Sequence, residues 1–208
     1  MRRTVLMFSA LLLVAAGCST TNPGTPSAVS SASGTVSPSE STSAVPGPGV
    51  PKVTHPIDVA RFKQEPCGAL TGSQVAALLG SGVSGKPDLH APAGPTCSWD
   101  SAEVSQAGIG VIFVNADHLG LTSVYQAKDT KYHFFQPMES VDGFPLVAYG
   151  VSDERATRGR CAVAIGVSDT QAVDLHIAQS EKNIGKKDPC GAAHDIAAQV
   201  LGNLRGGN

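Results

Sequence analysis

The sequence predicts an α+β domain: a mainly antiparallel sheet of about five strands, two or three helices packed on it, and two disulfides. Three observations carry that expectation. Capped helical patterns stand near both ends of the folded part, apolar alternation with a period of two fills the middle, and Cys67, Cys97, Cys161 and Cys190 sit where the two kinds of pattern meet. Mostly short connections between the strand patterns favour antiparallel neighbours with helices laid on a face.

The chain opens on Arg2-Arg3, an apolar run from Val5 to Ala16 too short to cross a bilayer, and small residues ahead of Cys18. Residues 1–17 therefore read as a lipoprotein signal peptide. Cleavage is expected to leave Cys18 at the amino terminus, carrying palmitate-type acyl chains that hold the protein to the outer face of a cell membrane, because two or more chains exceed the marginal binding of one. Ala15 stands where leucine is commoner, and the arginine pair also admits twin-arginine export.

From Ser19 to Val50, 23 of 32 residues are Ser, Thr, Pro or Gly, and Glu40 is the only charge. Such a stretch buries too little to offset its ordering entropy. Residues 18–54 are expected to form a disordered tether whose root-mean-square reach is roughly 33 Å. Its composition permits O-glycosylation.

Residues 55–208 fit one globular domain. The formal charge is −2, and −4 without Arg2 and Arg3, so no basic field invites nucleic acid or anionic head groups. With Cys18 given to lipid, four thiols on an oxidising side of the membrane read as two disulfides. Their spacings of 30, 64 and 29 residues lack the closely spaced ligand pairs of a zinc site, and no metal or cofactor is expected. Pairing Cys67 with Cys97 and Cys161 with Cys190 closes two loops of similar size and is the preferred connectivity. Crossed pairings, which would staple the two halves together, remain open.

The first clear helix has Thr71 as N-cap, Gln74 three residues on, a stripe of Val75, Leu78 and Leu79, and Gly80 at its end. A weaker helical pattern runs from about Leu119 to Lys131. Strand patterns cover Thr96 to Ser101, the alternation around Ile109, Val111 and Phe113, Leu146 to Val151, Cys161 to Val167, and Val173 to Ala178. Asp188 and Pro189 start the last helix, with Ala193, Ile196, Ala197, Val200 and Leu204 at helical spacing. The order of elements is compatible with two loosely similar halves.

A lipobox, a Ser/Thr/Pro tether, Pro66-Cys67-Gly68-Ala69-Leu70, Cys97-Ser98-Trp99 and two further cysteines together resemble the actinobacterial lipoproteins grouped as domain of unknown function 3558. The resemblance covers about Pro66 to Leu204. Its motifs are structural, so it carries no catalytic or ligand-binding residue over to this chain.

Motifs for chemistry are sparse. Gly80 to Lys86 copies the first seven positions of a phosphate-binding loop, but Pro87 replaces the hydroxyl that would hold magnesium, and a helix precedes the loop where a strand is required. No nucleotide is expected. No G-x-S-x-G elbow occurs, although serines with His133, His176 or His194 leave room for a triad the sequence does not reveal. Glu65, Asp88, Asp100, Glu103, Asp142 and Asp174 suggest no acid and base pair. Six of ten aromatic residues, Tyr125, Tyr132, Phe134, Phe135, Phe144 and Tyr149, fall in one segment, as a ligand- or partner-binding face or as core. Phe134-Phe135 ahead of Gln136-Pro137 reads as an exposed loop, and Trp99 as packing beside a disulfide. The expected function is a non-enzymatic, membrane-anchored binding or accessory module facing an envelope protein or lipid; a secreted envelope hydrolase is the alternative.

Overall fold

A computed structural model describes residues 44–101, 107–115 and 118–206. Cys18, the signal peptide, most of the tether and Glu103 lie outside the described residues. Seven strands form one antiparallel sheet: β1 (Lys86–Asp88), β2 (Thr96–Asp100), β3 (Gly108–Phe113), β4 (Phe134–Val141), β5 (Phe144–Gly150), β6 (Arg160–Ser168) and β7 (Gln171–Ala178). Their order across the sheet is β1-β2-β3-β7-β6-β5-β4. Two meanders, β1 to β3 and β4 to β7, thus meet where β3 pairs with β7 from Gly108↔Ala178 to Phe113↔Val173.

The expected class holds, with two more strands than the sequence signals. Both additions are edge strands. β1 is three exposed residues centred on Pro87, and β4 carries Pro137 and an irregularity between Met138 and Val141. Proline cannot donate to a ladder, so it is tolerated at a sheet's edge, where the alternating apolar signature also fades. Phe134 and Phe135 are therefore strand residues pointing to opposite faces, not a loop.

Helices α1 (Ala60–Gln64), α2 (Gly72–Leu79) and α5 (Pro189–Gly206) cover one face; α3 (Thr122–Gln126) and α4 (Arg155–Arg158) are single turns. The α2 capping box forms as expected, with Thr71 N–H donating to Gln74 Oε1 at 2.7 Å and Gln74 N–H to Thr71 Oγ1 at 3.3 Å. Asn203 of α5 donates to the same Gln74 oxygen at 2.7 Å and to the Ala69 carbonyl at 2.9 Å, locking the two helices together. Of the predicted α2 stripe, Val75 is buried but Leu78 is 37% exposed, because so short a helix meets the core along a single line. Asp188 caps α5 through the Cys190 N–H at 3.0 Å. The expected middle helix shortens to Thr122–Gln126: Asp129 takes a positive φ of 61° and the Lys131 and Tyr132 N–H groups turn back to the Ala127 carbonyl.

Strand alternation divides the interior in two. Under the helices lie Val111, Phe113, Val163, Ile165, Val173 and Leu175, met by Ile196, Val200 and Leu201 of α5. Over the other face a smaller cluster joins Val147, Tyr149, Ala164 and Ala172 to Leu121 and Val124. Close backbone packing shapes the rim of the main core: Gly94, at φ 133°, lies so near the Phe113 carbonyl that a Cβ there would overlap it.

Cys67 pairs with Cys97 and Cys161 with Cys190, at Cα separations of 5.0 and 5.2 Å. The local connectivity is the one present, so the halves are joined by the β3–β7 ladder and a common core instead of by crossed disulfides. The domain also begins before residue 55. Gly47 N–H donates to the buried Thr122 Oγ1 at 3.0 Å, Val53 N–H to Asp169 Oδ1 at 2.9 Å, and Ile57 N–H to the Val167 carbonyl at 2.9 Å. Local composition marks the stretch up to residue 54 as tether, yet partners 75 and 116 residues away hold part of it.

Candidate functional site

The face of the sheet away from α5 is only half covered. Loop 47–50 and the segment around α3 pack over β5 and one end of β6 and β7. Beyond them lies a groove of about 610 Å³. Register builds its floor. One row across the sheet reads Tyr149, Ala162, His176, Gly110, Ser98, and the next reads Arg160, Ala178, Gly108, Asp100. All these residues line the groove. Glycine and alanine on either side of His176 keep the floor low and leave backbone within reach of a bound chain.

Its rim is polar. Asp100 pairs with Lys86 at 3.2 Å at one end, and Arg160 approaches Glu154 at 4.0 Å at the other. These ion pairs are exposed and contribute little to stability. They mark two ends about three strand spacings, ~14 Å, apart.

Behind the floor, Tyr149 O–H donates to Asp174 Oδ2 at 2.8 Å across the small side chains of β6. Burial pushes the Tyr149 phenol up strongly, helped by the Asp174 charge. Burial also pushes the Asp174 carboxyl up, opposed by the Tyr149 hydrogen bond and by His176. The fold therefore holds the Asp174 proton more tightly than the unfolded chain does, so this group's contribution to stability is greatest at low pH and is lost as pH rises through the folded value. Asp174→Asn keeps an acceptor for Tyr149 and removes the titration. Chemical denaturation is expected to show the variant gaining on the parent as pH rises from about 4 to 7; a difference constant with pH would contradict this account.

The six aromatic residues do not form one surface. Tyr125 meets Phe135 edge-on at 4.9 Å and Tyr132 meets Tyr149 at 4.7 Å, all four on the half-covered face. Phe144 is 3% exposed in the main core, and Phe134 lies on that side beneath the Arg155 guanidinium at 4.5 Å. Of the six, Tyr149 lines the groove from its own face, and Phe134 borders its end from the helix side. Ser98, Gly108, Gly110, Ala162, His176 and Ala178 were not singled out together by the sequence. Their one signal is Gly108-x-Gly110 in a strand whose other side chains are bulky.

The remaining candidates scatter. His194 Nε2 donates to the Glu139 carbonyl at 3.1 Å, His133 is exposed, Asp142 pairs with Arg205, and Asp88 accepts from the His90 N–H at 2.9 Å. Lys86, the last position of the phosphate-loop-like run, begins an edge strand and holds Asp100. Ser98 and His176 share a row but stand on either side of β3, about two strand spacings or ~9.6 Å apart at the backbone. Asp174 Oδ2 accepts from the Tyr149 O–H.

The family model described as "Protein of unknown function (DUF3558)" matches residues 13–203. The chain belongs to this family. The DUF3558 match takes in all seven strands, both disulfides and every residue of the groove floor. Comparison with curated proteins and with solved structures finds no match.

Proposed function

We propose that this protein is a lipid-anchored module on the outer face of a bacterial cell membrane, and that it acts by binding a segment of an envelope protein in the groove between Tyr149 and Ser98. One observation carries the reading: half of an otherwise packed sheet face is floored by Gly108, Gly110, Ala162 and Ala178 and rimmed by polar groups. An open, polar-ended channel suits an extended peptide better than an acyl chain, which gains most from an enclosed apolar cavity. Binding instead of catalysis is favoured because Asp174 orients a phenol, and Ser98 and His176 face the floor from opposite sides of β3. The lipobox and the Ser/Thr/Pro stretch support anchoring at a distance from the bilayer.

Anchoring is tested by Cys18→Ser. The parent chain is expected to fractionate with membranes and to incorporate labelled palmitate, and the variant to do neither. A parent chain free of label in the soluble fraction would refute the anchor.

A further inference from the structure

The two disulfides differ in burial, although Cys161, like Cys67, borders a groove. Cys161 and Cys190, joining β6 to the first turn of α5, are 5% and 1% exposed. Cys97 is 0% exposed, but its partner Cys67, on the short 3-10 turn Pro66–Ala69, is only partly buried. Cys67 lines a groove of about 560 Å³ with Pro66, Pro87, Leu89 and His90, and Glu65 and Asp88 border it as well. Leu89, on the same groove, is 47% exposed.

We propose that Cys67–Cys97 is an exchangeable disulfide, opened through this groove by an external dithiol such as that of an extracytoplasmic thiol oxidoreductase, whereas Cys161–Cys190 is structural. Exposure selects the point of entry. An attacking thiolate approaches in line with the S–S bond, from the side opposite the leaving sulfur. Cys67 is the more exposed cysteine of the pair and borders the groove, so its sulfur is the one expected to be attacked. Attack there forms a mixed disulfide between the dithiol and Cys67 Sγ, breaks the Cys67–Cys97 bond and leaves its electron pair on Cys97 Sγ, which takes a proton. The second thiol of the dithiol then displaces Cys67 as a thiol. Two electrons have passed to the protein and the dithiol has become a disulfide.

The protein carries its own reporter. Trp99 is its single tryptophan and 2% exposed. A Cβ placed on Gly85 would stand 2.8 Å from Trp99 Nε1 and 2.8 Å from each of the Cys67 and Cys97 sulfurs, so the indole nitrogen lies within twice that distance of this disulfide. A disulfide so near an indole quenches its emission, and opening it restores the light.

The test treats the full native chain with graded dithiothreitol, traps thiols by alkylation and assigns them by peptide mass spectrometry. Cys67 and Cys97 are expected to be labelled at dithiol concentrations that leave Cys161 and Cys190 paired, with Trp99 emission rising in step and circular dichroism unchanged. Leu89→Asp adds a third carboxylate to the groove beside Glu65 and Asp88 and is expected to slow this opening several-fold without affecting the other pair. Cys161–Cys190 opening first, both pairs opening only as the fold is lost, or a Leu89→Asp chain reacting at the parental rate would overturn the proposal.

Discussion

Replacing Cys161 and Cys190 together by serine is expected to cost about 3–4 kcal/mol of stability, the chain-entropy value for a loop of this length. The pair is 29 residues apart in sequence. The figure is a lower bound in kind, because the cross-link also sets the packing of the longest helix. Cys161 is the second residue of β6, which is flanked by β5 and β7, and Cys190 is buried in the first turn of α5. From that point Ala193, Ile196, Ala197 and Val200 run across the sheet. Urea unfolding of the double variant should show the loss directly, and its melting temperature should fall by roughly 10 °C. A loss below about 1 kcal/mol would mean that α5 is placed by packing alone.

Phe113→Ala is expected to be as damaging, at about 3–5 kcal/mol for an aromatic side chain removed from a closed core. Phe113 is 0% exposed at the end of β3 and stacks on Phe62 of α1 at a centroid distance of 6.0 Å. Its N–H donates to the Pro95 carbonyl at 2.8 Å, and Gly94 lies against its own carbonyl, so the backbone is fixed there and the cavity has little freedom to collapse. Phe135→Ala provides the comparison. That ring is partly exposed on the other face, and its loss should cost appreciably less. Similar denaturation midpoints for the two variants would contradict the placement of the main core.

What the sequence reveals about this fold follows the range of the interactions involved. The Thr71–Gln74 capping box and the Asp188 cap are complete within three residues, so their signals survive without any knowledge of the rest. The spacing of Ile196, Ala197, Val200 and Leu204 is likewise a property of one helix. β4 is hidden because an edge strand is free to carry Pro137, Gln136 and Glu139, and so loses the alternation that marks a central strand. The docking of loop 47–50 depends on Thr122, 75 residues away from Gly47, and nothing in the Pro-Gly composition announces it. The groove is harder still. Its floor is assembled from β2, β3, β5, β6 and β7 by register, and glycines and alanines carry little pattern of their own. The aromatic segment, by contrast, draws attention in sequence, and alternation within β4 and β5 then sends its members to opposite faces.

The groove is the centre of the functional account, and position-specific photo-cross-linking in cells that export the chain tests it most directly. A photoreactive residue at Ser98 or His176 is expected to capture a discrete envelope protein, and the capture should disappear when Gly110→Leu fills the floor; the same reagent at Leu78, on the helical face, should capture nothing comparable. Equal capture from both faces, or capture from the groove that persists with Gly110→Leu, would contradict the reading.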